Sequence, residues 1–513
     1  MSLPSHPILS CDEARRFEQQ RFGGDEMKEW AAMQQAGRSV GEAVLRDFEM
    51  IGGFPPSGRV LVLAGKGHNG GDALLAARTI LECFPGATVD ILLVFGERAL
   101  RPLALQSYQG LVHAAPSRFA LVHSGSLAPT YDLCLDGIFG FQFRPPVDGR
   151  VAALLARIQS LPVRLRAAVD LPSGLGGEAV LAADFTYATG CLKTPVLGER
   201  TAGRIRYLDL GFFSGDEAAD QRVLTREVLA PLAGLRSPHS DKRTYGHLFL
   251  VGGSRRYPGA VLMSVLAALR SGAGLVTAFV PESLVSACAA RAPEAMWVGW
   301  PETPAGNLAL EGRHLLSDRW EGASALAMGP GLGREAETLA LVEDLAKSAR
   351  VPILLDADAL QVGTVRAGHA PRVLTPHAGE FARIAGGVGL REFAAQANAT
   401  VVLKGPTTKI SSGPGAHAAV NGGGKGGAKT PLTVWHSFFG GPVLARGGSG
   451  DLLAGLIGGL LAQTPGDPLL AAARGVVWHG LAADLLARTH GETAIQTTQL
   501  LDFLPAALRQ PVG

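Results

Sequence analysis

The strongest chemical signal in the sequence is a glycine-rich turn that leads directly into a long apolar segment, ARGGSGDLLAGLIGGLLA at 445–462. This pattern predicts a helix whose first N–H groups lack partners and which, through its dipole, favours an anion. Gly450 allows the backbone to approach a phosphate closely. Asp451 is equally consistent with a first-turn capping carboxylate and with a base that takes a proton from a hydroxyl during phosphoryl transfer.

Three further segments place polar side chains where a predicted strand ends. They are PILLDADAL at 352–360, LTPHAGE at 374–380 and KGPTT at 404–408. Because ligands of open α/β sheets bind beyond the carboxyl ends of the strands, we expect these segments and Asp451 to share one edge. Each segment alone also fits ordinary turn chemistry, but four on one edge indicate a site.

A second glycine loop lies in the first half of the chain, in LVLAGKGHNGGDALLAAR at 61–78. Its G-x-G-x-x-G spacing is a weak dinucleotide signal, and no acidic residue follows the second strand in the expected context, which disfavours a dehydrogenase. Two later strands, in LDGIFG at 135–140 and AVDLPSGL at 168–175, end in oxygen-bearing side chains. Such groups suit either a monovalent cation or ordinary loop hydrogen bonds.

The elements that position these groups alternate between short apolar strands and helices in both halves of the chain. This alternation predicts an α/β protein with parallel sheets covered on both faces, arranged as two doubly wound domains. The polar segment at 211–243 separates the halves, and we predict domains at 1–225 and 226–513. The glycine-lysine stretch at 421–444 is interpreted as a mobile surface loop or as a lid that brings Lys425 and Lys429 to a phosphate.

Composition narrows the class of protein. The 513 residues include 67 glycines, without a collagen period, and carry a net charge of +2, so no electrostatic case exists for nucleic-acid or membrane-surface partners. The five cysteines form no C-x-x-C motif, which argues against a zinc site or disulfide framework. The N-terminal residues do not resemble a signal peptide, and we expect a cytoplasmic protein with no membrane partner.

Six ordered motifs in the second half resemble the NAD(P)H-hydrate dehydratase family of the ribokinase-like superfamily. They are the segment from KRTYGHLFLVGG to GAGLVT, then GPGLG, DADAL, LTPHAGEFARI, VLKGPTT and GGSGDLLAGLIGGLLAQ. The resemblance implies that a nucleotide phosphorylates the hydroxyl of a hydrated nicotinamide ring and that phosphate then leaves. ADP is the nucleotide implied by bacterial members, with release of AMP and phosphate, and magnesium is expected with it.

The same resemblance implies roles for individual residues. Asp451 would be the catalytic base and would contact the substrate. The implied nucleotide-binding residues are Lys404, Gly405, Pro406, Thr407, Thr408 and Gly450. The implied substrate contacts are Ala273, Gly331, Gly333 and His377. Arg446 replaces the usual threonine, and an arginine there is still able to bind phosphate.

The first half resembles the NAD(P)H-hydrate epimerase domain, called YjeF-N, which interconverts the R and S hydrates on a Rossmann-like fold. The resemblance implies a potassium site at Asn69, Asp136 and Ser173 and acid–base roles for Asp170 and Lys193. The implied substrate-binding residues are His68, Asn69, Gly70, Gly71, Asp72, Gly140 and Asp170. Departures from the family pattern at His68, Ala73 and Phe141–Phe143 leave open whether this half is an active epimerase or a scaffold.

The leading hypothesis is therefore a bifunctional enzyme, isomerase and lyase, that repairs NAD(P)H hydrate with ADP. The alternative is a ribokinase-like kinase of a small vitamin alcohol, joined to a non-catalytic binding or dimerisation module. We also expect a homo-oligomer, although no motif in the sequence specifies one.

Overall fold

The computed structural model describes residues 3–414 and 432–509, and these residues form two compact units. The first unit contains residues 6–219 and 487–492. The second contains the described residues among 1–5, 220–486 and 493–513. The chain passes from one unit to the other between Ala219 and Asp220, and the domain boundary at 225/226 stays a prediction. Lys425 and Lys429, which were considered for a phosphate lid, lie outside the described residues.

The first unit alternates helices with the short apolar strands that the sequence predicts. Its elements are β1 (Ser5–Leu9), α1 (Cys11–Phe22), α2 (Glu26–Phe48), β2 (Arg59–Ala64), α3 (His68–Cys83), β3 (Thr88–Leu93), α4 (Pro102–Ala114), β4 (Phe119–Leu121), β5 (Tyr131–Gly137), α5 (Gly149–Ser160), β6 (Val163–Val169), β7 (Phe185–Thr189), β8 (Leu192–Lys193) and β9 (Arg204–Leu208).

Seven strands of this unit form a parallel sheet in the order β4-β3-β2-β5-β6-β7-β9. Strand β1 pairs in parallel with β8. The chain moves outward from β2 in one direction and from β5 in the other, so the strand order reverses between them. Ligands of doubly wound sheets bind at such a reversal, beyond the carboxyl ends of the two strands.

Asp47, near the end of α2, is the centre of a buried charge network in the first unit. It is 1% exposed and accepts hydrogen bonds from Arg206 Nε at 3.0 Å and Nη2 at 2.9 Å, from Arg488 Nη2 at 3.1 Å and from Tyr187 Oη at 3.2 Å. Burial favours the neutral acid, but the two guanidinium groups outweigh it and lower the pKa of Asp47 below its usual value of 3.8. Removal of this carboxylate leaves two arginines without their shared partner.

We therefore predict that Asp47→Ala destabilises the first unit by about 3–5 kcal/mol, the cost of breaking a buried ion pair. The exposed Glu42→Ala, which loses only a surface contact to Arg46 at 4.0 Å, should change stability by less than about 1 kcal/mol. Because the pKa of Asp47 is lowered on folding, its contribution is present above about pH 3.8 and is lost as the pH falls through the lowered value. Urea titration at several pH values, with hydrogen exchange of the β7 and β9 amides, measures the free energy of unfolding and its pH dependence. Equal losses of stability in Asp47→Ala and Glu42→Ala would contradict the prediction.

The second unit repeats the α/β alternation. Its elements are β10 (Gln221–Leu224), β11 (His247–Val251), α6 (Pro258–Arg270), β12 (Leu275–Pro281), α7 (Val285–Arg291), β13 (Met296–Trp300), α8 (His314–Ser317), β14 (Ala325–Met328), α9 (Ala336–Ser348), β15 (Ile353–Leu355), β16 (Arg372–Leu374), α10 (Ala378–Ala385), α11 (Leu390–Gln396), β17 (Thr400–Leu403), β18 (Thr408–Ser412), β19 (Val434–Ser437), α12 (Ser449–Gln463), α13 (Pro468–His490) and α14 (Leu500–Arg509).

The strands of this unit lie in the order β13-β12-β11-β14-β15-β16-β17-β18-β19-β10. All neighbours are parallel except β18, which is antiparallel to both β17 and β19. The order reverses between β11 and β14, where Gly253 N–H donates to the carbonyl of Pro330 at 2.8 Å. The predicted fold class, two α/β units with parallel sheets, is confirmed.

One helix of the described residues, α13, is long and apolar enough to cross a membrane by length and composition. In the structure, 83% of its most apolar window is buried inside the protein. Its buried residues include Trp478, whose indole N–H donates to the carbonyl of Leu504 at 2.8 Å. These contacts are those of a core helix.

Candidate active sites

In the second unit, three neighbouring strands end in polar groups that meet. Asp356 follows β15, Thr375 follows β16 and Lys404 follows β17. The buried Asp356 Oδ1 accepts hydrogen bonds from Lys404 Nζ at 2.8 Å and from Thr375 Oγ1 at 2.7 Å. Burial opposes the charge of Lys404, but Asp356 outweighs it and raises the pKa of the lysine. This edge therefore holds a fixed ammonium group.

The start of α12 lies beside this ammonium group. Gly448 has a φ of +89° and turns the chain into the helix, and Lys404 Nζ would be 3.3 Å from a Cβ placed on Gly450. A helix N-terminus and a lysine together form a strong anion site. The sequence prediction that Lys404, Gly450 and Asp451 lie at one edge thus matches the geometry.

Asp451, in the first turn of α12, has the properties of a base rather than of a cap. Within residues 3–414 and 432–509, no hydrogen bond reaches its carboxylate, while its backbone carbonyl accepts one from Ser264 Oγ at 2.8 Å. Burial, reinforced by Asp356 and opposed by Lys404, raises the pKa of Asp451 to about 6. A carboxylate with this pKa is ionised at neutral pH and is a better proton acceptor than an exposed one.

His377 begins α10 and is held by a capping box with Glu380. Its Nδ1 accepts the backbone N–H groups of Gly379 at 3.0 Å and Glu380 at 3.3 Å, while Glu380 Oε2 accepts the N–H of His377 at 2.8 Å. With Nδ1 accepting, Nε2 is the donor of the ring. It lies 3.5 Å from Glu380 Oε1, and the histidine side chain is 62% exposed.

Most of the remaining predicted residues of this unit follow strands, whereas Ala273 precedes one. Gly331 is buried, and a Cβ placed on it would lie 3.0 Å from Ala260 Cβ in the first turn of α6. Gly333 donates its N–H to Asp358 Oδ2 at 3.2 Å. The segment Gly405–Thr407 connects β17 to β18, whose first residue is Thr408. Ala273, in contrast, precedes β12 and lies at the amino end of that strand, away from the carboxyl edge where the other predicted substrate contacts lie.

Arg446 does not point to a free phosphate site. Its guanidinium group donates to the backbone carbonyls of Thr493 at 2.6 Å and Ile495 at 3.4 Å. These hydrogen bonds join Arg446 to the segment before α14. The second aspartate of DADAL, Asp358, pairs with Arg334 at 2.8 Å, so the two carboxylates of this motif have separate partners.

In the first unit, a cavity of about 590 Å³ lies at the reversal of strand order. It is large enough for a drug-sized ligand. Among its lining residues are Glu18, His68, Asn69, Asp72, Gly140, Phe141, Asp170 and Lys193. The bulky Phe141 therefore borders the cavity without filling it.

A buried ion pair forms one side of this cavity. Lys193 Nζ is 2.6 Å from Asp170 Oδ1, with the two side chains 3% and 7% exposed. Asp170 has a φ of +67°, and its Oδ2 accepts the N–H of Phe141 at 3.2 Å. Burial lowers the pKa of Lys193, but Asp170 outweighs this effect and raises it. The predicted acid–base pair therefore lies together.

The three residues predicted to hold potassium converge on the loop after β5. Asp136 is 3% exposed, and it accepts hydrogen bonds from Ser173 Oγ at 2.6 Å and Ser173 N at 2.8 Å. Ser173 Oγ accepts the N–H of Phe139 at 3.0 Å, and Asn69 Nδ2 donates to the Phe139 carbonyl at 2.8 Å. Burial raises the pKa of Asp136 to about 6, since within the described residues no cationic side chain pairs with it.

The glycine loop of the first unit requires small residues. A Cβ on Gly70 would lie 2.3 Å from the Gly65 carbonyl oxygen, and one on Gly71 would lie 2.9 Å from Met33 Sδ. Ala73, a departure from the family pattern, lies inside α3 and is fully buried without a positive φ, so its Cβ causes no strain. His68 Nε2 is 3.8 Å from Glu29 Oε2, and burial lowers the pKa of this histidine.

Two side chains at these sites, Glu18 and Asp356, were not predicted as functional. Glu18 lies in the polar stretch DEARRFEQQRF, where nothing distinguishes it from a surface residue. Asp356 was part of a noted motif but received no role of its own. Its burial and its contact with Lys404 depend on the alignment of β15, β16 and β17, which a linear pattern does not contain.

Comparison with known proteins assigns the two units. A family model described as NAD(P)H-hydrate dehydratase matches residues 248–506, and one described as YjeF-related protein N-terminus matches residues 30–194. A bifunctional NAD(P)H-hydrate repair enzyme of Moorella thermoacetica is 33% identical over 93% of this chain and 92% of its own length. The enzyme of the same name from Gloeobacter violaceus is 36% identical over 93% of each chain.

The chain belongs to the bifunctional NAD(P)H-hydrate repair enzymes. Its N-terminal part is the NAD(P)H-hydrate epimerase and its C-terminal part the NAD(P)H-hydrate dehydratase of this family. The vitamin-alcohol kinase is not favoured. Among solved structures, an ADP/ATP-dependent NAD(P)H-hydrate dehydratase from Bacillus subtilis, co-crystallised with ATP and Mg²⁺, is 31% identical over 56% of this chain and 96% of its own, with a TM-score of 0.46.

Proposed function

We propose that the dehydratase unit uses ADP to phosphorylate the ring hydroxyl of the S hydrate, with Asp451 as the base. The observation that carries this proposal is the partly buried Asp451 carboxylate, without a hydrogen-bond partner in the described residues, beside the helix N-terminus and Lys404. Lys404, Gly450 and the segment Gly405–Thr408 would bind the nucleotide phosphates. Gly331, Gly333 and His377 would contact the substrate.

The proposed reaction has two steps. Asp451 takes the hydroxyl proton, the oxygen attacks the terminal phosphorus of ADP, and the bond from that phosphorus to the bridging oxygen breaks to release AMP. The phosphorylated ring then expels phosphate with the electron pair of the carbon–oxygen bond, and the neighbouring ring carbon loses a proton to give NAD(P)H. Lys404 would stabilise the charge that develops on the transferred phosphoryl group.

The experiment that tests this proposal follows absorbance at 340 nm in a mixture of R and S NADH hydrate, with ADP or ATP. With ADP, we expect full recovery of NADH and one AMP and one phosphate for each NADH formed. Recovery that stops at the S fraction, after correction for spontaneous epimerisation, would show that the epimerase unit is inactive. A stable phosphorylated product would instead favour a kinase.

We further propose that the epimerase unit holds potassium at Asn69, Asp136 and Ser173. The residues fit such an ion because Asp136 is a buried carboxylate without a cationic partner in the described part of the chain, surrounded by oxygen-bearing groups. Potassium would supply positive charge that holds the loop after β5 beside the substrate. His68, Asn69, the glycines 70, 71 and 140, Asp72 and Asp170 would bind that substrate.

Exchange of potassium for tetramethylammonium is therefore expected to lower the rate of epimerisation. Asp136→Asn should weaken cation binding by at least about tenfold, because even substitutions of residues that only contact a metal ligand have effects of this size. Thallium(I) NMR measures the binding directly. Asp132→Asn, at the opposite end of β5, is the matched control, and unchanged thallium binding in Asp136→Asn would exclude this site.

Magnesium is proposed to enter the dehydratase site with the nucleotide. The described residues contain no group of three or more His, Cys, Asp or Glu side chains placed for a metal ion. Mg²⁺ bound to a nucleotide requires only one or two carboxylates in addition to the phosphates, so this finding is compatible with the proposal. Homo-oligomeric assembly and a cytoplasmic location stay predictions.

A further inference from the structure

Helix α1 contributes a carboxylate to the epimerase cavity that the residue assignments above do not use. Glu18 lines this cavity together with Asp72, Asp170 and Lys193, and its side chain is half-buried. Within the described residues, Glu18 forms no hydrogen bond or ion pair. It also precedes residue 30, where the match to the epimerase family model begins.

Lys193 shares its part of the cavity with the carboxyl groups of Glu18, Asp72 and Asp170. The rest of the lining also contains charged residues, namely Glu29, Arg15, Lys66, Arg101 and Arg144. Lys193 is fixed on Asp170 at 2.6 Å, so its charge neutralises that one carboxylate. Asp72 is only 8% exposed, and its Oδ1 has no hydrogen-bond partner in the part of the chain that the structure describes. Burial, with the charges of Asp170 and Glu18, raises the pKa of Asp72 well above its usual value, despite Lys193. Burial and the two neighbouring carboxylates therefore favour the neutral form of Asp72.

Glu18 faces the same charged groups from its own helix. Burial is the largest influence on it; Asp170 and Glu29 add to this effect and Lys193 opposes it, and together they raise the pKa of Glu18 to about 7. A carboxyl group with this pKa is divided between its acid and base forms at neutral pH. An isomerase runs in both directions through the same groups, so a group that both donates and accepts a proton at one pH suits it.

We propose that Glu18 is a catalytic acid–base residue of the epimerase that acts directly on the ring hydroxyl of the hydrate. This proposal rests on the epimerase activity of the first unit and deepens it. The hydroxyl-bearing carbon is bonded to the ring nitrogen, so loss of the hydroxyl as water leaves a cation that the nitrogen lone pair stabilises. That loss requires a proton on the departing oxygen.

The proposed step balances as follows. Protonated Glu18 gives its proton to the hydroxyl, the carbon–oxygen bond breaks with its electron pair leaving on water, and a nitrogen–carbon double bond forms. A water molecule then adds to the opposite face of that carbon, and the nitrogen regains its lone pair. The added water loses a proton to Asp170 Oδ2, the oxygen not bound to Lys193. Proton exchange with solvent then returns a proton to Glu18 and removes the one on Asp170. The reverse reaction exchanges the roles of the two carboxylates.

The test compares the rates of full-length Glu18→Gln and wild-type protein after the rate of spontaneous epimerisation has been subtracted. The interconversion of R and S NADH hydrate is followed by chromatography without nucleotide, and dehydration of the pure S hydrate is measured in parallel. Glu18→Gln is expected to lower kcat for epimerisation by about 10²–10⁴-fold, the usual contribution of general acid–base catalysis. Dehydration of the S hydrate should not change, because Glu18 lies in the other unit.

Two further variants separate catalysis from a structural effect. Glu18→Asp keeps a titrating group and should recover part of the rate with a displaced pH profile, whereas Glu18→Gln should lose the limb near pH 7. Glu26→Gln, an exposed position on α2, is the matched control and should behave as the wild type. A rate of Glu18→Gln epimerisation within threefold of the wild type, or an unchanged pH dependence near pH 7, would overturn the role of Glu18 but not the epimerase activity of the unit. A wild-type enzyme that does not accelerate interconversion would overturn the epimerase activity and this role with it.

Discussion

Asp451→Asn is expected to lower kcat for dehydration of the S hydrate by about 10²–10⁴-fold, because the ring hydroxyl then loses the group that takes its proton. Asparagine keeps the size and the position at the start of α12, so the fold should persist. KM for the substrate should change much less than kcat, since the loss affects the transition state. The measurement is the initial rate of absorbance increase at 340 nm with ADP, together with AMP release.

The pH dependence of the wild-type enzyme supplies an independent check on this role. A base must be ionised, and the pKa of Asp451 is raised to about 6. The rate of dehydration should therefore fall as the pH drops through about 6, and this limb should be absent in Asp451→Asn. Asp502→Asn changes an exposed aspartate of α14 that pairs with Arg270 at 3.4 Å; it serves as the control and should retain full activity. Retention of the limb in Asp451→Asn would assign it to another group.

Lys404→Met is the second change with a large expected effect. It removes the ammonium group beside Gly450 while keeping a similar chain length, and we expect a loss of about 10²–10³-fold in kcat/KM, the cost of removing one preorganised charge-stabilising group. Since this lysine also lowers the pKa of Asp451, its removal should move the acidic limb of the pH profile to higher pH. Steady-state rates with ADP across a pH series measure both effects.

A control with the same chemical change separates this role from loss of surface charge. Lys347→Met removes an exposed lysine of α9 that pairs with Glu343, four residues earlier, and it should leave the rate and the pH profile unchanged. A loss in Lys404→Met with an unmoved pH limb would show that the lysine binds phosphate without influencing Asp451. Equal rates in Lys404→Met and the wild type would remove the lysine from the site.

Two of the departures that raised doubt about the epimerase unit, Ala73 and Phe141, have different consequences in the structure. Ala73 packs inside α3 without strain, so it removes no feature of the glycine loop. Phe141 borders the cavity, where Lys193 Nζ lies 5.1 Å from the centre of its ring. An aromatic face next to an ammonium group stabilises the charged lysine. These positions therefore favour a modified active site over a collapsed one.

Sequence alone identified candidate residues for the chemistry wherever the signal depends on local pattern. The turn before α12, with Gly450 and Asp451, was recognised because a helix start and its glycines are consecutive in the chain. The alternation of strands and helices was recognised for the same reason, since periodicity is a property of neighbouring residues. Lys404 and the first glycine loop were also noted from local pattern, and family resemblance then implied their roles in nucleotide and substrate binding.

Only the tertiary structure decided which of these groups meet and what charge they carry. Asp356 contacts Lys404 because β15, β16 and β17 lie side by side, and Ala273 lies apart because it precedes a strand instead of following one. Glu18 joins the epimerase cavity because α1 covers it, although the helix sequence is that of a surface element. A pKa depends on burial and on charges distant in the chain, and neither is present in a linear pattern.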